Sequence, residues 1–125
     1  MSALRMIADV RSPAPYSIAE GDSTELVRVL LLEGELDVAA APRLQARVDE
    51  TAPGQALVLD LSRTTFIDSA VLKELLRARA ELAERNVRLV LAGVTPPVRR
   101  LLDLTRTSEL FEDAADRDAA LRRLS

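Results

Sequence analysis

The chain has no histidine, no cysteine and no tryptophan among its 125 residues, and a single lysine, Lys73. Without histidine there is no ordinary general base, no common transition-metal ligand and no Ser-His nucleophile pair. Without cysteine there are no disulfides and no thiolate metal sites. The aromatics are Tyr16, Phe66 and Phe111, so any core must be aliphatic. The four glycines share no motif spacing, which leaves no glycine-rich phosphate loop. No unbroken apolar run exceeds the four residues of Val29–Leu32, far short of a membrane span. Met1–Val10 has charges at Arg5 and Asp9 and no apolar block, which is not a signal peptide. A net charge of −3 with no basic block argues against a nucleic-acid partner. These absences together point to a cytoplasmic, cofactor-free protein that is not an enzyme.

What is present is periodicity. Residues 1–14 show none and read as an N-terminal extension, with Leu4–Val10 offering at most a short strand; residues 15–125 read as one domain. Tyr16–Glu20, a turn at Gly21-Asp22-Ser23 and Leu26–Glu33 form a hairpin, and Gly34 marks a bend. Asp37 is placed to cap a helix over Val38–Thr51, with Pro42 in its first turn. Ala56–Leu61 is a nearly continuous aliphatic run, as in a buried parallel strand, and Ser62–Ile67 reads as a loop. Ser69–Arg85 is the strongest helix. Val71, Leu72, Leu75, Leu76, Ala78, Leu82 and Ala83 share one face, and Lys73, Glu74, Arg77, Glu81, Glu84 and Arg85 the other. Arg79 interrupts the apolar stripe and reads as a stem that snorkels to solvent. A strand over Val87–Ala92, a helix over Pro96–Leu104, a short strand at Leu110-Phe111 and a helix over Asp116–Leu124 complete the pattern. Strands alternating with helices predict an α/β domain with a mixed, mostly parallel sheet led by an antiparallel hairpin.

Two places could carry chemistry. Ser69 stands where a long helix begins after a buried strand. The free amides and partial positive charge of that terminus suit a phosphate, although a plain capping serine is the commoner role there. Asp37 and Asp68 each follow a strand, at the carboxyl edge where open α/β sheets place ligands. They read as an acid–base or cation-binding pair or, more simply, as two helix caps.

Several segments, in order and at consistent spacing, resemble one family. Gly34-Glu35-Leu36-Asp37 with Ala41-Pro42 and Leu44, then Leu57–Ser62 and Thr65-Phe66-Ile67-Asp68-Ser69, are similar to the STAS domain of bacterial anti-sigma factor antagonists. Arg88–Val94, Pro97–Leu102 and Glu109-Leu110-Phe111 fit the same pattern. The resemblance implies a sheet with helices packed mainly on one face. It implies a partner, an anti-sigma factor with serine kinase activity, that phosphorylates Ser69, and a phosphatase that resets it. It implies a partner-binding surface around Asp37, Asp68, Ser69, Ala70, Val71 and Lys73. Where the family reads Asp-Ser-Ser/Thr-Gly-Leu, this chain reads Asp68-Ser69-Ala70-Val71-Leu72. Val71 in place of glycine is expected to crowd Ser69 and add apolar surface at the docking rim, and it favours the alternative of a switch-dead scaffold in a signalling or transporter complex. Thr105-Arg106 stands where the family usually has glycine, so a helix C-cap is expected to be lost.

Overall fold

In the computed structural model, which describes residues 15–125, the leading hairpin is β1 (Tyr16–Glu20) and β2 (Val27–Leu36). There follow α1 (Ala40–Asp49), β3 (Ala56–Ile67), α2 (Ser69–Glu84), β4 (Leu89–Ala92) and α3 (Pro96–Leu104). A 3-10 turn (Ser108–Leu110), β5 (Glu112–Ala114) and α4 (Arg117–Leu124) end the chain. The expected extension at residues 1–14, with its short strand at Leu4–Val10, lies outside the described residues.

The five strands lie in sequence order; β1 is antiparallel to β2, and the remaining pairs are parallel. That order explains the layering. Three successive right-handed crossovers that advance in one direction across a sheet put their helices on the same face. α1, α2 and α3 accordingly bury Leu44, Val48, Leu75, Leu82, Val98 and Leu102 against Leu30, Leu32, Leu59 and Leu91 of the strands. The opposite face is covered by α4, whose Ala120 packs on Val29, Val58, Val90 and Ala92. The core is aliphatic, as the composition requires; of the aromatics only Phe111 is buried in it.

Several boundaries differ from the sequence reading, each for a physical reason. β2 does not bend away at Gly34 but runs through it to Leu36, because glycine takes φ +89° and lets the hairpin partner approach. β3 continues past Leu61 through the polar stretch Ser62–Thr65. Thr64 is fully buried there and its hydroxyl donates to the Leu32 carbonyl at 2.6 Å. On α2, Ala83 is exposed, and Glu74 is buried rather than solvated. The Glu74 carboxylate accepts from the Arg77 guanidinium at 2.7 and 2.9 Å. Arg79 does reach outward, donating to the Leu110 carbonyl. Leu110 ends a 3-10 turn, and the last strand starts one residue beyond Phe111. The strand expected from Val87 begins at Leu89, since Asn86 (φ 58°) and the Val87 amide, donating to the Leu82 carbonyl at 2.8 Å, close α2.

The same closure ends α3, so its C-cap is retained. Arg106 adopts φ 57° and the Thr107 amide donates to the Leu102 carbonyl at 2.9 Å. A non-glycine residue in that left-handed conformation costs about 1 kcal/mol. Arg106→Gly is therefore expected to stabilise the fold by about 0.5–1 kcal/mol, partly offset by the freedom glycine gains when unfolded. Urea denaturation would read this as a raised midpoint.

Candidate functional site

The parallel pair β2–β3 ends in register at Leu36 and Ile67, both in the core, and the Asp68 amide donates to the Leu36 carbonyl at 3.2 Å. This fixes Asp37 and Asp68 as neighbours at the carboxyl edge of the sheet, where the sequence placed them. Asp68 is the N-cap of α2: its backbone is extended, and its Oδ1 accepts from the Ala70 amide at 2.9 Å and the Val71 amide at 3.2 Å. Ser69 is therefore the first helical residue and not the cap, and its side chain is exposed. Its hydroxyl is free of any structural hydrogen bond among the described residues.

Asp37 does something different from what its position suggested. Its Oδ1 accepts from the Ala39 amide at 3.0 Å and its carbonyl from the Ala40 amide at 2.9 Å, which makes a turn before α1. The residue at the cap of α1 is Ala39, with no side-chain cap bond. Both aspartates thus spend an oxygen on backbone amides. No group of three or more His, Cys, Asp or Glu side chains among the described residues is arranged to hold a metal ion.

Val71 is 1% exposed and packs in the core beside Leu36, Ile67 and Leu75. Its branch points inward, so it neither crowds the Ser69 hydroxyl nor adds apolar surface to the rim. Ala70 is half-buried, and Lys73, one turn on from Ser69, is exposed. The apolar surface at this corner comes from elsewhere. Val38, next to Asp37, is 66% exposed, and Phe66, two residues before Asp68, is 48% exposed. Val38 was not singled out from the sequence, and Phe66 entered only as part of the motif that leads to Ser69. The available signal was phase: Phe66 is one residue out of step with the inward Ile67, and Val38 sits in a turn where no core is near.

The edge is acidic as well as apolar. Asp37 and Asp68 are half-buried and Glu35, which pairs with Phe66 across the sheet, is exposed. The corner therefore brings an exposed hydroxyl, two apolar side chains and carboxylates together on a rigid base. No helix among the described residues is long and apolar enough to cross a membrane.

A model of the STAS domain family matches residues 19–120. The chain is similar to the putative anti-sigma factor antagonist BtrV of Bordetella bronchiseptica, 30% identical over 101 residues that cover 79% of this chain and 87% of that protein. It is 28% identical over 85 residues to the anti-sigma-B factor antagonist of Listeria monocytogenes, covering 66% and 75%. Among solved structures, an anti-sigma factor antagonist from Mycobacterium paratuberculosis superposes with a TM-score of 0.74 at 29% identity, over 90% of this chain and 96% of that one.

Proposed function

The chain belongs to the STAS domain family, and we propose that it is an anti-sigma factor antagonist whose docking is switched by phosphorylation of Ser69. The partner on this reading is an anti-sigma factor with serine kinase activity. Unmodified, the antagonist binds it and frees a sigma factor for transcription; phosphorylated, it lets go, and a phosphatase restores it. The observation that carries the reading is the exposed Ser69 hydroxyl at the first position of α2, with the adjacent amides already taken by Asp68.

That last detail sets the mechanism. A phosphate at an open helix N-terminus would be drawn in by free amides and could reorder the segment. Here the Asp68 carboxylate occupies the Ala70 and Val71 amides. A phosphate on Ser69, with roughly −1.5 to −2 charges, would stay on the surface beside Asp68 and Asp37. It would change what the surface repels without remodelling the fold. Burial of Val71 removes the feature that favoured a switch-dead module.

The exposed Val38 and Phe66 side chains are then the apolar anchors that flank the switch. Truncating an apolar anchor at an interface centre typically costs about 1–3 kcal/mol, roughly tenfold to a hundredfold in affinity. Phe66→Ser and Val38→Ser are each expected to weaken binding to the anti-sigma factor by about tenfold or more while changing stability by about 0.5 kcal/mol or less. Titration calorimetry with the purified partner would measure it; unchanged affinity in both variants would move the docking surface away from this corner.

A further inference from the structure

A second site lies on the other face of the sheet, away from the helices that support Ser69. The β2–β3 pairing slips between Leu31 and Glu33, where Leu31 pairs with Asp60 but Glu33 pairs with Arg63, so β3 carries one extra residue. Such bulges re-aim side chains and often border functional sites. This one opens a crevice of about 330 Å³ lined by Leu31, Glu33, Asp60, Ser62, Arg63 and Arg117, the last being the first residue of α4. The crevice lies midway along β2 and β3, beside the carboxyl end of β4, whose Ala92 pairs with Asp60.

Its charges are only partly satisfied by one another, through the long ion pair of Arg117 with Asp60. The Asp60 side chain is 9% exposed, and its Oδ1 accepts from the Ser62 amide at 3.0 Å. Its Oδ2 accepts no hydrogen bond from a described residue; its one charged neighbour is the Arg117 Nε at 3.7 Å. Every fully buried side-chain oxygen or nitrogen among the described residues has a hydrogen-bond partner, so Oδ2 must open onto the crevice. Glu33 and Arg63 face each other in register, yet no ion pair joins them among the described residues. Asp60 Oδ2 is thus a half-paired carboxylate oxygen presented to the crevice, free to accept from a ligand's donor.

The lining has two carboxylates and two guanidiniums, which matches neither a simple anion nor a simple cation. The volume is at the small end for ligand pockets. We propose that this crevice binds a small zwitterion of the α-amino acid class, with the ligand's ammonium on Asp60 and Glu33 and its carboxylate on Arg117 and Arg63. Arg117 can make a two-pronged contact to a carboxylate, which a point charge cannot. The inference does not depend on the role of Ser69.

The test uses the ¹⁵N-labelled full chain with each proteinogenic amino acid added singly at about 10 mM, a concentration that stabilises measurably if Kd is millimolar or lower. At least one amino acid is expected to shift the amide resonances of Leu31–Glu33, Asp60–Arg63 and Arg117 and to raise the melting temperature. Arg117→Gln, at a half-buried position, is expected to weaken that binding at least tenfold, as is Asp60→Asn; if Asp60→Asn fails to fold, Arg117→Gln decides. Inorganic phosphate and methylammonium, one charge sign each, are expected to leave those resonances in place. The proposal is overturned if no amino acid moves them, if phosphate alone reproduces the shifts, or if Arg117→Gln binds as tightly as the parent.

Discussion

Ser69→Asp is expected to reduce affinity for the anti-sigma factor by at least about a hundredfold, and Ser69→Ala to leave it within about threefold. The asymmetry follows from the place of Ser69 in α2. Its hydroxyl is exposed and holds no structural hydrogen bond among the described residues, so alanine removes little. Substitutions at such surface positions usually change stability by no more than about 0.5 kcal/mol. Aspartate instead adds a negative charge next to Asp68 and Asp37, on a surface that is already acidic. A partner that seats the neutral Ser69 hydroxyl offers no counter-charge at that point, and a carboxylate buried there unpaired costs several kcal/mol. About 2.8 kcal/mol suffices for a hundredfold. Aspartate carries about one charge where a phosphate carries up to two, so the variant underestimates the proposed switch. Both variants should melt at the parent's temperature, which separates lost docking from lost folding. Asp68→Ala would not be as clean, because it removes the α2 cap and about 1 kcal/mol with it. Equal binding by the two Ser69 variants would sink the mechanism.

Gly34→Ala should be the most damaging single-methyl change in the fold, costing about 3–5 kcal/mol. Gly34 holds φ +89°, where a side chain already costs about 1–2 kcal/mol. A Cβ there would also stand 2.1 Å from the Pro15 carbonyl oxygen and 3.1 Å from the Tyr16 Cα, both backbone. The chain cannot yield cheaply, since that carbonyl accepts the Glu35 amide at 2.8 Å and holds the start of β1 against β2. Strain and clash together fall in the range that marks a broken special conformation, against a total stability of about 5–15 kcal/mol for a domain. Gly54 is the control. It has a similar φ of +87° but nothing within 4 Å of an added methyl, so Gly54→Ala should cost about 1–2 kcal/mol for the dihedral alone. Guanidinium denaturation of both variants would isolate the clash; equal losses would show that β1 is not pinned through Pro15.

The hairpin edge has a further tie. The Glu20 carboxylate on β1 accepts from Arg28 at 2.5 and 3.0 Å and from Arg47 at 3.1 Å, and the hydrogen bonds from Arg28 are the main reason it titrates below the usual carboxylate range. Arg28 itself is buried and also donates to the Thr51 hydroxyl and the Arg47 carbonyl, so β1, β2 and α1 are joined through one guanidinium.

How much of this was legible in the sequence varied with what determines each element. α2 was readable almost to the residue, because Val71, Leu75, Ala78 and Leu82 keep the helical period and Asn86 can take the left-handed turn that ends it. The second half of β3 was not, because its polarity hides a buried threonine whose hydroxyl is satisfied only by a carbonyl on another strand. Asp37 and Asp68 look alike as residues after a strand, but only the second caps a helix; the difference lies in backbone geometry two residues on. Val71 shows two sequence arguments in conflict. Its phase on the helix placed it inward, its departure from the family motif placed it at the rim, and packing against Leu36 and Ile67 decided for the phase. The exposure of Phe66 and Val38 went unread because an apolar side chain that finds no core is visible only once the core is known.

The most direct measurement is the intact mass of the protein after incubation with its anti-sigma factor and ATP, followed by peptide mapping and gel filtration of the mixture. A single phosphoryl group on Ser69, appearing as the complex dissociates, is the predicted result. A complex that persists with Ser69 unmodified, or a phosphoryl group on another residue that accompanies release, would contradict it.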